Sequence, residues 1–304
     1  MKKFTLLMAI VSVAMTSSAQ TDSTVVTTDS TVKKPSADTI RIGNILIIKK
    51  AKTSGDSDDD NGVNGTSVQL GRDKNKKNSK VTTNWGVLDI GFSNYDDQTN
   101  YANAGNYLVN RPGSQALSQG DFKLRAGKSI NLNIWFFMQR LSLIKNSVNL
   151  KYGLGLELNN YRYKSSISYK ENGPIPYSGG MQTSDAFIFR DSISFGKNKL
   201  AADYLTVPLM LNFASHPNSS KKGISASFGV SAGYLYSQRN KQKSNERNKQ
   251  TNKGEYDMER FKISYIGELG LGPVRLYGSY SPSSMFENGL DMRPFTLGFR
   301  FGNL

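Results

Sequence analysis

Apolar residues alternate with polar or small ones in eight stretches of the chain, near residues 85–93, 130–139, 148–163, 202–213, 223–237, 261–270, 274–281 and 294–301. The third is the clearest. Val148, Leu150, Tyr152, Leu154, Leu156 and Leu158 share one parity, and Asn149, Lys151, Gly153, Gly155, Glu157 and Asn159 share the other. The last stretch sets Phe295, Leu297, Phe299 and Phe301 against Thr296, Gly298, Arg300 and Gly302. Side chains of a strand point alternately to its two faces, so each stretch predicts a strand with one greasy and one wet side. Most reach the roughly 9–11 residues that cross a bilayer at a tilt.

The connections alternate as well. Long segments at 94–128, 164–201 and 238–260 trade places with short ones at 140–147, 214–222 and 271–273, and a medium one at 282–293 completes the series. Long loops at one end and short turns at the other are the build of outer-membrane barrels, and a soluble β-sandwich gives no reason for that regularity. The expected fold is therefore all-β: an eight-stranded antiparallel up-and-down transmembrane barrel over 81–304. Closing the sheet removes the free edges that so many strands would otherwise expose. Trp85, Tyr161, Tyr163, Tyr204, Tyr234, Tyr236, Tyr265 and Tyr280 stand near strand ends, where interfacial aromatic girdles form, although tyrosine also favours strands for its own sake.

What precedes the barrel sets its address. Lys2 and Lys3, the mostly apolar run 4–15 and the small residues Ser17, Ser18 and Ala19 have the grammar of a cleaved secretory signal over 1–19. Residues 20–80 then form a polar periplasmic leader. Its Thr-, Ser- and Asp-rich start reads as disordered linker. Ile40, Ile42, Ile45, Ile47 and Ile48 make a short β-prone segment at 38–50, suited to a small strand or to strand addition on a partner. The acidic tract SGDSDDDNG and the basic tract GRDKNKKNSK read as solvated spacer.

Composition narrows the classes further. A formal net charge of +15 suits anionic surfaces, and export selects lipid headgroups over nucleic acid. With no cysteine, a lipoprotein anchor, a disulfide framework and a thiolate metal site are all excluded. No stretch after the signal approaches the roughly 20 apolar residues of a spanning helix.

The stretches SINLNIWFF, GLGLELNNYRY, YLTVPLMLNF, GVSAGYLY and the closing VRLYGSYSPSSMFENG…RPFTLGFRF occur in this order. With DTIRIGNILII ahead of the acidic tract, they resemble outer-membrane β-barrel proteins of Bacteroidetes, in particular the PorT-like group. The likeness covers about residues 38–304. It implies outer-membrane location, assembly by the barrel-insertion machinery and a supporting role in protein secretion or surface display. One departure is the ending Phe301-Gly302-Asn303-Leu304, where such barrels often finish on an aromatic residue.

Catalytic sets are thin. His216 is the sole histidine and sits in the short ASHPNSS turn, on the side opposite the long loops, so it reads as a turn residue before Pro217. Asp96 and Asp97 are adjacent acids in the first long loop, with nothing to fix a water between them. Asp56, Asp58 and Asp60 open like a calcium loop, but Asn61 stands where the sharp turn wants glycine and no glutamate closes the site.

The inward polar set says more. If the apolar faces meet lipid, Lys151, Glu157, Lys262, Glu268, Arg275 and Arg300 point into the lumen, and eight strands leave room only for side chains that fill it. Mixed signs there predict ion pairing rather than a water-filled bore. The segment 238–260 carries seven basic and four acidic residues between Arg239 and Arg260. Read as an external loop, its Arg239, Lys241, Lys243, Arg247, Lys249 and Lys253 would meet lipopolysaccharide phosphates, or simply be solvated. Nucleic-acid binding would want aromatic platforms among the charges, and Tyr256 stands almost alone. The expected function is a non-enzymatic, cofactor-free structural or interaction module of the cell envelope, with envelope proteins as partners. The alternatives are a narrow channel for ions or small solutes and, weakest, a hydrolase or acyltransferase.

Overall fold

Each alternating stretch becomes a strand: β1 (Val81–Asp97), β2 (Ile130–Ile144), β3 (Val148–Arg162), β4 (Lys197–Ala214), β5 (Ile224–Ser244), β6 (Phe261–Leu271), β7 (Val274–Tyr280) and β8 (Met292–Phe301). The computed structural model describes residues 80–216 and 223–302 in full, and the backbone of Thr39–Ile42, Ile45–Lys49 and Thr66–Leu70. Strands consecutive in the chain pair antiparallel, and β8 returns to β1 from Met292 opposite Asp97 to Phe301 opposite Leu88. The sheet is a ring of strands. Every backbone donor and acceptor along the ladder thus has a neighbouring strand to meet.

Local chemistry shapes the turns at one end. Lys145 and Asn146 take positive φ (42° and 61°) between β2 and β3. Between β6 and β7, Gly272 has φ 60° at the first position of a two-residue turn and Pro273 fills the second, the arrangement that matches strand twist. The long connections 98–129, 163–196, 245–260 and 281–291 leave from the other end.

Polarity is inverted relative to a soluble protein. Leu297 (63% exposed), Ile263 (59%) and Phe228 (58%) face outward, while Asp89 (0%), Lys151 (2%) and Glu268 (5%) are buried inside. β3 is the plainest case: each odd-numbered residue from Asn149 to Tyr161 is buried and each even-numbered one from Val148 to Arg162 only partly so.

Three expectations need correction. First, the strands run further than polarity contrast suggests: β1 reaches Asp97, β4 starts at Lys197, and β5 continues to Ser244. Arg239, Lys241 and Lys243 therefore lie in β5, with Lys249 and Lys253 on the strand Asn248–Lys253 paired to it and Arg247 in the turn between. This is a sheet extension and not an irregular loop. Lysines replace apolar residues on its outer face, so the alternation signal fades while the pairing goes on. Second, Asp96 and Asp97 end a strand. They accept from the Gln98 amide (2.7 Å) and the Tyr101 hydroxyl (2.6 Å), and so cap the strand end. Third, Tyr161, Tyr163 and Tyr204 are buried inside and belong to no outer girdle, whereas Trp85, Tyr236, Tyr265 and Tyr280 are exposed and Tyr234 half-buried. Tyr236 is the extra residue of a bulge, since Asp203 pairs with Ser237 and Tyr204 with Leu235.

A separate unit, Met1–Lys77, precedes the ring unit Asn78–Leu304. Its strands Thr39–Ile42, Ile45–Lys49 and Thr66–Leu70 pair antiparallel in that order, and the β-prone segment at 38–50 supplies the first hairpin. The expected signal at 1–19, the linker and the tract with Asp56, Asp58 and Asp60 lie outside the described residues.

Candidate functional site

The interior of the ring is an ionic network. Glu268 on β6 takes Lys151 Nζ from β3 at 3.0 Å, Arg300 Nη1 from β8 at 2.7 Å and Arg275 Nη1 from β7 at 3.7 Å. Arg300 also grips Asp89 of β1 with two parallel bonds, Nε to Oδ1 at 2.7 Å and Nη2 to Oδ2 at 2.8 Å. That fork-to-fork geometry fixes orientation as well as charge. On the far side Lys262 pairs with Glu157, and its ammonium lies 4.4 Å from the centre of the Tyr204 ring.

Neutral groups satisfy what the ions leave over. Trp135 Nε1 (2.7 Å) and the Asn133 amide (3.2 Å) donate to Asp89. Asn131 donates to Asn159 (2.8 Å), which donates to Glu157 (2.9 Å), and the Tyr277 hydroxyl donates to Asn131. The six polar residues picked from alternation thus meet in two linked groups. Asp89 is the one sequence reasoning missed, although Leu88, Ile90 and Phe92 flank it with outward parity. Val87, Trp135, Met138 and Met210 pack as a small apolar cluster beside the ions. The open space among Asp89, Glu157, Glu268 and Arg300 is ≈ 30 Å³, about the room of one water molecule.

Over the loop end lies an apolar cap that the sequence did not announce. Tyr95, Tyr107, Phe122, Tyr161, Tyr163, Ile167, Tyr169, Ile188, Tyr256, Met285 and Phe286 form one buried cluster drawn from the strand ends and all four long connections. Tyr169 stacks on Phe286 with centroids 6.4 Å apart and planes 5° apart. The short strands Leu108–Val109, Phe187–Arg190 and Ile167–Lys170 make a sheet of their own that joins two of the long connections, 98–129 and 163–196. Tyr107 donates to the Tyr256 carbonyl (2.6 Å) and Tyr256 to the Asn252 carbonyl (2.8 Å). Burial pushes the Tyr107 and Tyr169 phenols up and Tyr256 up to about 12, which keeps them neutral donors.

Ion pairs pin the loops to this cap. Arg190 holds Asp121 through Nε (3.0 Å) and Nη2 (2.8 Å to each oxygen) and reaches the Gln115 carbonyl (2.9 Å). Arg190→Ala should cost about 1 kcal/mol, because the pair is partly exposed and solvent screens it. Limited proteolysis reads the effect: cleavage within 98–129 accelerates in the variant, and an unchanged rate shows that packing alone holds the loop. Arg247 similarly reaches the buried Asp191 (2.9 Å). His216 shares a hydrogen bond with Ser215 (3.1 Å) at the end opposite the cap.

No family model matches the chain, and neither does any curated protein. Among solved structures it is similar to Ail, the attachment invasion locus protein of Yersinia pestis. One such structure is a complex with the heparin analogue sucrose octasulfate, at 11% identity and a TM-score of 0.28, covering 71% of this chain and 99% of that one. A second, of Ail by itself, has 11% identity and a TM-score of 0.27, covering 72% and 98%. A likeness this distant assigns neither ligand nor task.

Proposed function

We propose that the chain is an eight-stranded outer-membrane barrel serving the cell envelope as a non-enzymatic interaction module rather than as a pore. The inverted polarity carries this reading. An outward belt of Leu, Ile, Val and Phe around a charged interior is far larger than the apolar patches soluble proteins tolerate, and a bilayer covers it without a partner protein. β1 starts at the end of the short turns, which supports reading that end as the periplasmic one and the capped loops as external. The paired interior and the aromatic cap both speak for a closed barrel. The PorT-like resemblance extends the proposal to a supporting role in secretion or surface display, with the barrel-insertion machinery, lipopolysaccharide and envelope proteins as partners.

Detergent-extracted protein should migrate differently on denaturing gels before and after boiling. Deleting 40–80 should keep that shift while abolishing co-purification of envelope proteins. Planar bilayers holding the intact chain should stay electrically silent. Recovery of the mature chain as a soluble monomer without surfactant overturns the barrel reading. A stable unitary conductance altered by Arg275→Ala replaces the module with a channel.

A further inference from the structure

Just beyond the apolar belt at the loop end, β4, β5 and the strand Asn248–Lys253 present three cross-strand rows on their outer face. Nearest the belt, Arg239 stands between Ala201 and Lys253. Next, Lys241 stands between Lys199 and Thr251, with Arg162 of β3 opposite Lys199 on its other side. Outermost, Lys243 stands between Lys197 and Lys249. Neighbouring strands lie roughly 4.8 Å apart and alternate residues roughly 6.8 Å apart, so eight cations share one small field.

Such a face is unfavourable as it stands. Like charges set directly opposite each other destabilise a sheet, and here they recur in every row. Asp203, paired with Arg239, is an acid within the face, and Glu246 stands in the turn beyond its outermost row. Arg247 and Arg260 lie outside it and have acids of their own in Asp191 and Glu255. Burial, and then the charges of Lys241, Lys197 and Arg239, hold Lys199 down at about 8 against the pull of Asp203. The strain of crowded positive charge is thus felt within the array itself. What relieves it is a multivalent anion.

Position says which anion. Directly below the array, on the same outward face, come Tyr236, Leu205, Tyr234 and Phe261, with Leu209, Val230 and Ile263 deeper in the belt. A ligand reaching both zones has phosphate at one end and hydrocarbon at the other. The inner face of the same strands is closed by Asn198, Asn240 and Gln242 packed toward the cap, so the cations serve only what approaches from outside.

We propose that Arg162, Lys197, Lys199, Arg239, Lys241, Lys243, Lys249 and Lys253 form a binding face for the phosphates of a phosphorylated glycolipid in the outer leaflet, whose acyl chains lie on the belt beneath. This deepens the barrel reading and rests on it. The anion is clamped by a sheet with fixed spacing, unlike the loose contact a mobile basic loop would give.

The test uses the full chain in nanodiscs of zwitterionic phospholipid doped with bisphosphorylated lipid A, with retained glycolipid counted by native mass spectrometry after extraction. Wild type should retain lipid A, and retention should fall as salt rises. The triple variant Lys199→Gln, Lys241→Gln, Lys243→Gln should bind it on the order of a hundredfold more weakly, from the loss of three surface cations. Lys80→Gln with Lys145→Gln, at the short-turn end of the ring, should bind as wild type does. Equal retention by this variant and the triple variant overturns the proposal. So does equal retention of dephosphorylated lipid A, or a wild type that ignores lipid A yet binds inorganic phosphate or a sulfated polysaccharide. The heat-dependent gel shift is recorded for each variant. Its loss in wild type marks failure of the barrel reading, whereas its persistence with no lipid A retained marks failure of the glycolipid face alone. Should the triple variant lose its shift, Lys243→Gln with Lys249→Gln removes two of the three cations of the outermost row while leaving the belt and β3 untouched.

Discussion

Glu268→Ala lowers the unfolding free energy of the folded ring by about 3–5 kcal/mol, because it strips one buried acid from three buried cations. Lys151, Arg275 and Arg300 all have their heads against this carboxylate, whose side chain is 1% exposed. The space beside Glu268, Asp89 and Arg300 is ≈ 30 Å³, about the room of one water molecule, so little solvent can replace the lost carboxylate there. The heat-dependent mobility shift, followed against temperature in detergent, measures the loss. Adding Lys151→Met to Glu268→Ala should cost less than the two single changes together, since the lysine left behind is part of the penalty. Additive losses show that the network is a set of independent contacts.

That network was legible residue by residue because a strand with one apolar and one polar face repeats one rule. On β3 no bulge interrupts the alternation, so Lys151 and Glu157 could be placed inside from sequence. The rule failed where its premise failed. On β5 the bulge at Tyr236 flips the parity, and the outward residues beyond it are lysine and arginine, so the strand reads as a loop. Tyr161, Tyr163 and Tyr204 show the converse. Parity puts them inside, but their position near strand ends invites a girdle, and the decisive contacts come from loops with no periodicity. The cap is assembled from Tyr107, Phe122, Tyr169, Tyr256 and Phe286, aromatics scattered singly over long polar segments. Each alone looks incidental, and only tertiary packing unites them. Asp89 was within reach, yet a lone acid in a glycine-rich strand drew no notice beside the conspicuous basic residues.

Gly91→Val is expected to remove about 3 kcal/mol or more, through overpacking of backbone that cannot retreat. Gly91 and Gly298 face each other where β1 meets β8. A Cβ on Gly91 would stand 2.5 Å from the Leu297 carbonyl oxygen, 2.7 Å from the Tyr277 hydroxyl and 2.8 Å from Gly298 Cα. Both strands are hydrogen-bonded on both sides, so neither gives way. The fraction of chain showing the unboiled band should drop sharply in Gly91→Val. Gly278→Ala serves as the control: its new Cβ meets nothing nearer than 3.4 Å, so its cost stays below about 1 kcal/mol. A Gly91→Val protein as stable as wild type shows that the junction is looser than drawn.

The bond between Arg300 and Asp89 ties residues 211 apart in the chain. A contact of that reach is won late, after much loop entropy has been surrendered with little in return. Until it forms, the two outermost strands are unpaired margins able to recruit any other extended peptide. The guanidinium clasp therefore sits where the first and last strands meet: while they are apart each has an unpaired margin, and once they pair the sheet has none left to offer.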